Sequence, residues 1–174
     1  MGSISSRISV LRESIPEVNT IPFRYITPDE LREKGRLSSC ATPTGEDCGG
    51  KAHIKLYDAN TDNFYEIARA YDPCGTKCIM ELIKSRMDVP EDIEAIIFAV
   101  FCLLHEAGHY YDYQKDPRKY KSNYVEACPN GTLEDAKAYR NRPLEKVADE
   151  YALERLADAL KRLNLEMIRQ RLSE

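Results

Sequence analysis

The sequence predicts a single α+β domain, mainly helical, with a small sheet beside one buried helix. Three observations predict it. Residues 93–104 are almost wholly apolar, which suits a helix that enters the core and not one lying on the surface. Residues 22–26 and 52–57 alternate apolar and polar side chains as half-buried strands do. From Pro143 onward, Leu144, Val147, Tyr151, Leu156, Leu160, Leu163 and Met167 recur at three- to four-residue spacing, the stripe of a packed helix. At 174 residues the chain has the length of one domain with a real core and is short for two.

Element by element, residues 1–20 display no clear period and read as a mobile or lid-like lead-in. A strand over 22–26 is followed by Thr27-Pro28-Asp29-Glu30, a capping box with proline at the first helical position, and that short helix ends near Gly35. Residues 36–50, rich in Ser, Thr, Pro and Gly, read as a loop, and 52–57 as a strand. Residues 64–71 fit either strand or helix, 74–78 read as a loop, and 79–87 as a short amphipathic helix. The apolar helix runs from near Pro90 to about Lys115, closed by Asp116-Pro117. A polar, tyrosine-containing loop over 117–131, a candidate border of the cleft, leads to a helix from Thr132, its N-cap, to Arg140. The last helix starts at Pro143, and its part beyond Leu160 is a candidate homodimer contact.

A net charge of −4 gives no basic footprint for nucleic acid. No apolar run approaches the ~20 residues that span a bilayer, and the N-terminus lacks the apolar core of a secretory signal, so the expectation is a soluble, intracellular (cytoplasmic) protein without membrane partners. Six cysteines leave three states open. Cys40 and Cys48 flank one loop and Cys74 and Cys78 another; the four could be free thiols, two local disulfides, or a second, structural zinc site, although neither spacing is the usual CxxC pair. Cys102, on the buried helix, reads as a small core hydrophobe.

The most informative residues are His105-Glu106-Ala107-Gly108-His109, an HExxH pentapeptide at the end of the apolar run. Positions i and i+4 of a helix share one face, so both imidazoles can reach one metal ion, while Glu106 lies about 100° round the helix, where it can take a proton from a metal-activated water. Catalytic zinc sites usually have three protein ligands. A metzincin would carry its third histidine six residues after the second, where Lys115 stands, and Asp112 replaces the expected glycine. His53 is a weak alternative far upstream. Gly131-Thr132-Leu133-Glu134-Asp135 has the outline of a GTxD zinc signature but the wrong acidic position. The better source is the last helix, where Glu145 and Asp149 stand i and i+4 with carboxylates on one face, Asp149 and Glu150 being rival ligands.

HExxH followed by Glu145-Lys146-Val147-Ala148-Asp149 resembles the gluzincin metallopeptidases, including the small intracellular peptidases that cleave phage repressors. The resemblance covers about fifty residues, and nothing before Asp92 carries it. It implies a zincin-like domain spanning 1–174, with Glu145 as third zinc ligand and Asp149 supporting the site by hydrogen bonding. It also implies a strand beside the HExxH helix that offers its edge to an extended peptide, a role open to 52–57 or 64–71.

The function expected is zinc-dependent hydrolysis of a peptide or protein substrate, with Glu106 as general base. Tyr139, Arg140 and Tyr151 are candidates to stabilise the oxyanion, and Asp112 could orient His109. Two other classes stay open: a catalytically inert zinc-binding regulatory or interaction protein of a virus or mobile element, and an all-α structural domain without metal.

Overall fold

The 93–104 run becomes the axis of the protein. A computed structural model describes residues 6–41, 50–125 and 131–163. In chain order these hold α1 (Ile8–Ser14), α2 (Pro16–Asn19), β1 (Phe23–Tyr25), α3 (Pro28–Lys34), β2 (Ser38–Ala41), β3 (His53–Leu56), α4 (Thr61–Tyr71), α5 (Pro73–Lys84), α6 (Glu94–Lys115), α7 (Pro117–Asn123), α8 (Leu133–Arg140) and α9 (Pro143–Arg162). The fold is a mainly helical α+β arrangement with one small mixed sheet.

Helix α6 is buried on all sides over its apolar part, and α9 packs along it. By length and composition, 91–115 is the one helix among the described residues able to cross a membrane, but 83% of its apolar window is buried inside the protein, as a core helix requires. Against α6 lie α4, α2 and the sheet. The sheet order is β1-β3-β2, with β1 parallel and β2 antiparallel to β3.

Several elements differ from the sequence expectation. Over 6–20 the lead-in is two short helices joined at Ile15, and Ile8, Leu11, Ile15 and Val18 are fully buried in the core, so this part is no detached lid. Residues 64–71 are helical, within α4, capped by Asn60 accepting from Asn63 N–H. The 74–78 stretch is not a loop but the start of α5, because Asp72 caps it by accepting from Gly75 N–H and Pro73 presets the first turn. Pro117 likewise starts α7 inside the expected loop, capped by Asp116.

The capping box at Thr27 and Glu30 forms as expected, and α3 ends at Gly35 in the left-handed region (φ 59°). Thr132 caps α8 in the same way, with Asp135 as its return partner. In α9, Leu160 and Leu163 pack into the protein's own core, while 164–174, the rest of the expected dimer contact, lies outside the described residues.

Candidate metal centre and cleft

Helix α6 presents His105 and His109 one turn apart, and α9 brings Glu145 to meet them. The three side chains are buried. His105 Nε2 and His109 Nε2 stand 3.0 Å apart. Glu145 Oε2 is 3.3 Å from His105 Nε2, and Oε1 is 3.2 Å from His109 Nε2. Ligands at about 2.0–2.1 Å from a tetrahedral zinc would lie about 3.3 Å from one another. The donor set therefore fits a metal ion in both type and spacing, and among the described residues it is the one group of three or more His, Cys, Asp or Glu so placed.

The close approach of the helices rests on Gly108. A Cβ there would lie 2.9 Å from Ala148 Cα and 3.1 Å from Tyr151 Cβ, so only glycine lets α9 come near enough to deliver Glu145. The approaching element is a helix of the protein itself.

Asp149 Oδ1 stands 3.0 Å from His105 Nδ1 without the alignment of a hydrogen bond, so the two meet as charge neighbours, and Nε2 of that ring faces Glu145. Arg140 holds both carboxylates, donating to Glu145 Oε2 over 3.3 Å and to Asp149 Oδ1. Tyr139 donates its hydroxyl to Glu145 Oε1 over 2.9 Å. Burial alone would raise the Glu145 carboxyl, but hydrogen bonds and charge from His105 and His109 outweigh it and hold that group far below the usual range. A carboxylate that stays ionised while buried is the form a metal needs.

Glu106 is buried beside the triad. Its Oε1 accepts from the Ser38 hydroxyl over 3.1 Å, and its Oε2 is buried without a partner among the described residues. An orphaned carboxylate oxygen is costly unless something else meets it.

Other sequence-named residues fall elsewhere. Tyr151 packs with Tyr111 and lies under the Arg155 guanidinium, away from the cleft lining. Asp112 does not orient His109, whose Nδ1 is buried and unpartnered. His53 is buried on β3 with Nδ1 at 2.8 Å from Lys51 O, apart from the triad. Cys40, Cys74 and Cys78 are free thiols and gather into no ligand set among the described residues; Cys48 lies outside them. Burial pushes the Cys102 thiol up to about 12, with the Glu106 charge adding to it, so it stays protonated as expected of a core hydrophobe.

Three residues of the site were not named individually from the sequence. Ser38 sits on β2, within the expected loop, and Tyr120 on α7 is 2% exposed and lines the cleft with its ring edge-on to His109 at 6.0 Å. Burial first, then the charges of Cys40, Glu106 and Glu145, push the Tyr120 hydroxyl well above the usual tyrosine range, so it keeps its proton. Arg142, also in the cleft wall, has a buried Nη1 without a hydrogen-bond partner among the described residues. Tyr120 falls in the tyrosine-containing segment expected to border the cleft, whereas nothing in the sequence singled out Ser38 or Arg142.

The cleft encloses about 200 Å3 and is bordered by Ser38, Ser39 and Cys40 in succession. Side chains alternate across a strand, so three successive residues mean that its edge, not one face, meets the cleft. Tyr57 N–H donates to Leu37 O, directly opposite in the register. By the alternation of an antiparallel ladder, Ser39 and Ala41 pair with β3, and Ser38 and Cys40 turn their backbone N–H and C=O outward. Strand β3, the expected edge over 52–57, is instead central, and 64–71 is helix; the cleft edge is β2. No family model matches the chain, and comparison with curated proteins and with solved structures gives no match.

Proposed function

We propose that this protein is a zinc-dependent peptidase with a zincin-like, gluzincin-type site: His105, His109 and Glu145 hold the ion and Glu106 is the general base. The observation that carries this reading is the convergence of three ligand atoms from α6 and α9 at zinc-like separations, with the unpartnered Glu106 Oε2 beside them. Zinc bound there supplies Lewis-acid activation of water and of a carbonyl oxygen.

The chain's own residues do the rest. Glu106 Oε2 takes the proton of the attacking water and returns it to the leaving amine, while the Ser38 hydroxyl holds Oε1. The outward backbone groups of Ser38 and Cys40 pair with an extended peptide as an added strand. Arg140 and Tyr139 are already bound to Glu145, so they hold the third ligand in place. The donor to the developing oxyanion is then one of the uncommitted groups, with Tyr120 best placed against His109 and Arg142 Nη1 second.

Metal analysis is expected to find one zinc per chain. Wild type cleaves members of a peptide library, and Glu106→Gln keeps its zinc but loses cleavage. Equal processing by both proteins removes the peptidase reading, and a protein without metal removes the site.

A further inference from the structure

Two arginines that follow one another at the head of α9 differ in what they hold. Arg140 is taken by Glu145 and Asp149, whereas Arg142 meets no carboxylate among the described residues. Its Nη1 is buried without a hydrogen-bond partner among them, while the residue as a whole is half-buried and lines the cleft. A guanidinium stays charged at every pH a fold survives, so one that has lost water on a nitrogen and gained no acceptor is costly.

The chain holds this group in a fixed place. Pro143 follows it and starts α9, and Arg142 N–H donates to Tyr139 O, so the link from α8 to α9 is a tight turn. The guanidinium carbon lies 5.5 Å from the centroid of the Tyr139 ring, and the Tyr139 hydroxyl donates to Glu145 Oε1 over 2.9 Å. One phenol ring therefore stands between Arg142 and the third candidate ligand. That separation is about the reach of two or three residues of extended chain at ~3.4 Å each.

A guanidinium offers its N–H donors in a flat fork that matches a carboxylate, and the pair is stronger where water is partly excluded. We propose that Arg142 binds a substrate carboxylate within two or three residues of the scissile bond, so that the substrate is a peptide with its free C-terminus or an acidic side chain there. The proposal rests on the peptidase reading and leaves the oxyanion to Tyr120.

Two measurements test it on the zinc-loaded full chain. In cleavage of a peptide library, kcat/KM is expected to be about 10- to 100-fold higher with the carboxylate than without it. Amidating the C-terminus, and exchanging Asp or Glu for Asn or Gln, tell which source supplies the group. The monohydroxamate of succinic acid and its carboxamide counterpart, bound without turnover and followed by calorimetry, are expected to differ by a similar factor. Arg142→Gln should bring both ratios close to one, and Arg142→Lys, which keeps the charge but not the fork, should lower them several-fold. A wild type that treats acid and amide alike, or ratios unchanged in both variants, overturns the proposal and leaves the peptidase. Arg142→Gln lowering kcat equally for acid and amide assigns this arginine to the oxyanion and also overturns it. Carboxylate preference among the hydroxamates that depends on Arg142, with no cleavage of any peptide, removes the peptidase and leaves the carboxylate site.

Discussion

The Ser38 hydroxyl donates to Glu106 Oε1 over 3.1 Å and ties the free edge of the sheet to the helix that carries the metal ligands. One strand therefore borders the cleft and fixes one oxygen of the carboxylate proposed as general base. Ser38→Ala keeps the outward backbone groups of β2 and removes only this restraint. Because a hydrogen bond to a charged group is worth about 1.5–3 kcal/mol, kcat is expected to fall about tenfold or more, with KM little changed and Ser38→Thr retaining most activity. Steady-state kinetics on a cleaved library peptide decide it; an unchanged kcat for Ser38→Ala removes the positioning role.

Metal should stabilise the fold as well as activate it, because its ligands lie on two helices that meet only in the native state. Zinc at about a thousand times its dissociation constant adds about 4 kcal/mol. For a chain of 174 residues this corresponds to a rise in Tm of very roughly 8–16 °C. Calorimetric scans of chelated and zinc-loaded protein measure it, and coincident transitions would mean that the triad binds no ion.

The legible part of this site was the part written in helical period. HExxH and the Glu145/Asp149 pair each stand i and i+4, and the long apolar run told which helix would be buried. That the two faces meet was not legible from spacing and depends on Gly108 facing Ala148. Strand β2 stayed hidden because Ser38-Ser39-Cys40-Ala41 has neither alternation nor strong β-propensity; pairing with β3 makes it a strand. The buried set Ile8, Leu11, Ile15 and Val18 does carry a three- to four-residue spacing, but Pro16 breaks the helix inside it and masks the period.

A pH-dependent stability is expected from the base of α3. Arg24 binds Glu30 through both terminal nitrogens, at 2.6 and 2.9 Å, and Thr27 N–H donates to the same carboxylate over 3.0 Å. The Arg24 hydrogen bond, with that of Thr27, lowers Glu30 from 4.5 to about 2 against a small burial penalty. A depressed folded pKa stabilises above the unfolded value and is lost as pH falls through the folded one. Glu30→Gln should therefore be less stable than wild type at pH 7, with the difference shrinking below pH 4.5 and gone near pH 2. Denaturant midpoints across this range provide the check, and a pH-independent difference would mean that packing, not charge, accounts for the loss.

Asp149 should act on zinc affinity through His105. Its Oδ1 is 3.0 Å from His105 Nδ1, too poorly aligned for a hydrogen bond in the metal-free geometry, and Asp149→Asn removes the neighbouring charge while keeping the shape of the side chain. Such partners typically contribute 10- to 100-fold in metal affinity. Competition with a chromogenic zinc chelator reads it directly. An affinity within twofold of wild type would leave Asp149 as no more than a partner for Arg140.

Gly108→Ala separates two opposing effects. In an exposed helix interior the change gains about 1 kcal/mol from propensity. Here the new methyl meets Ala148 Cα at 2.9 Å and Ala148 O at 3.2 Å, backbone atoms that yield only if α9 moves as a body. Overpacking of this kind costs about 1–3 kcal/mol, so the zinc-free variant should be less stable by up to about 2 kcal/mol. The displacement also carries Glu145 and Asp149 away from His105 and His109, so zinc affinity is expected to fall together with stability. Calorimetry of the chelated protein gives the first quantity and chelator competition the second. A variant as stable as wild type that binds zinc as tightly would mean that the α6–α9 contact at Gly108 does not set the spacing of the ligands.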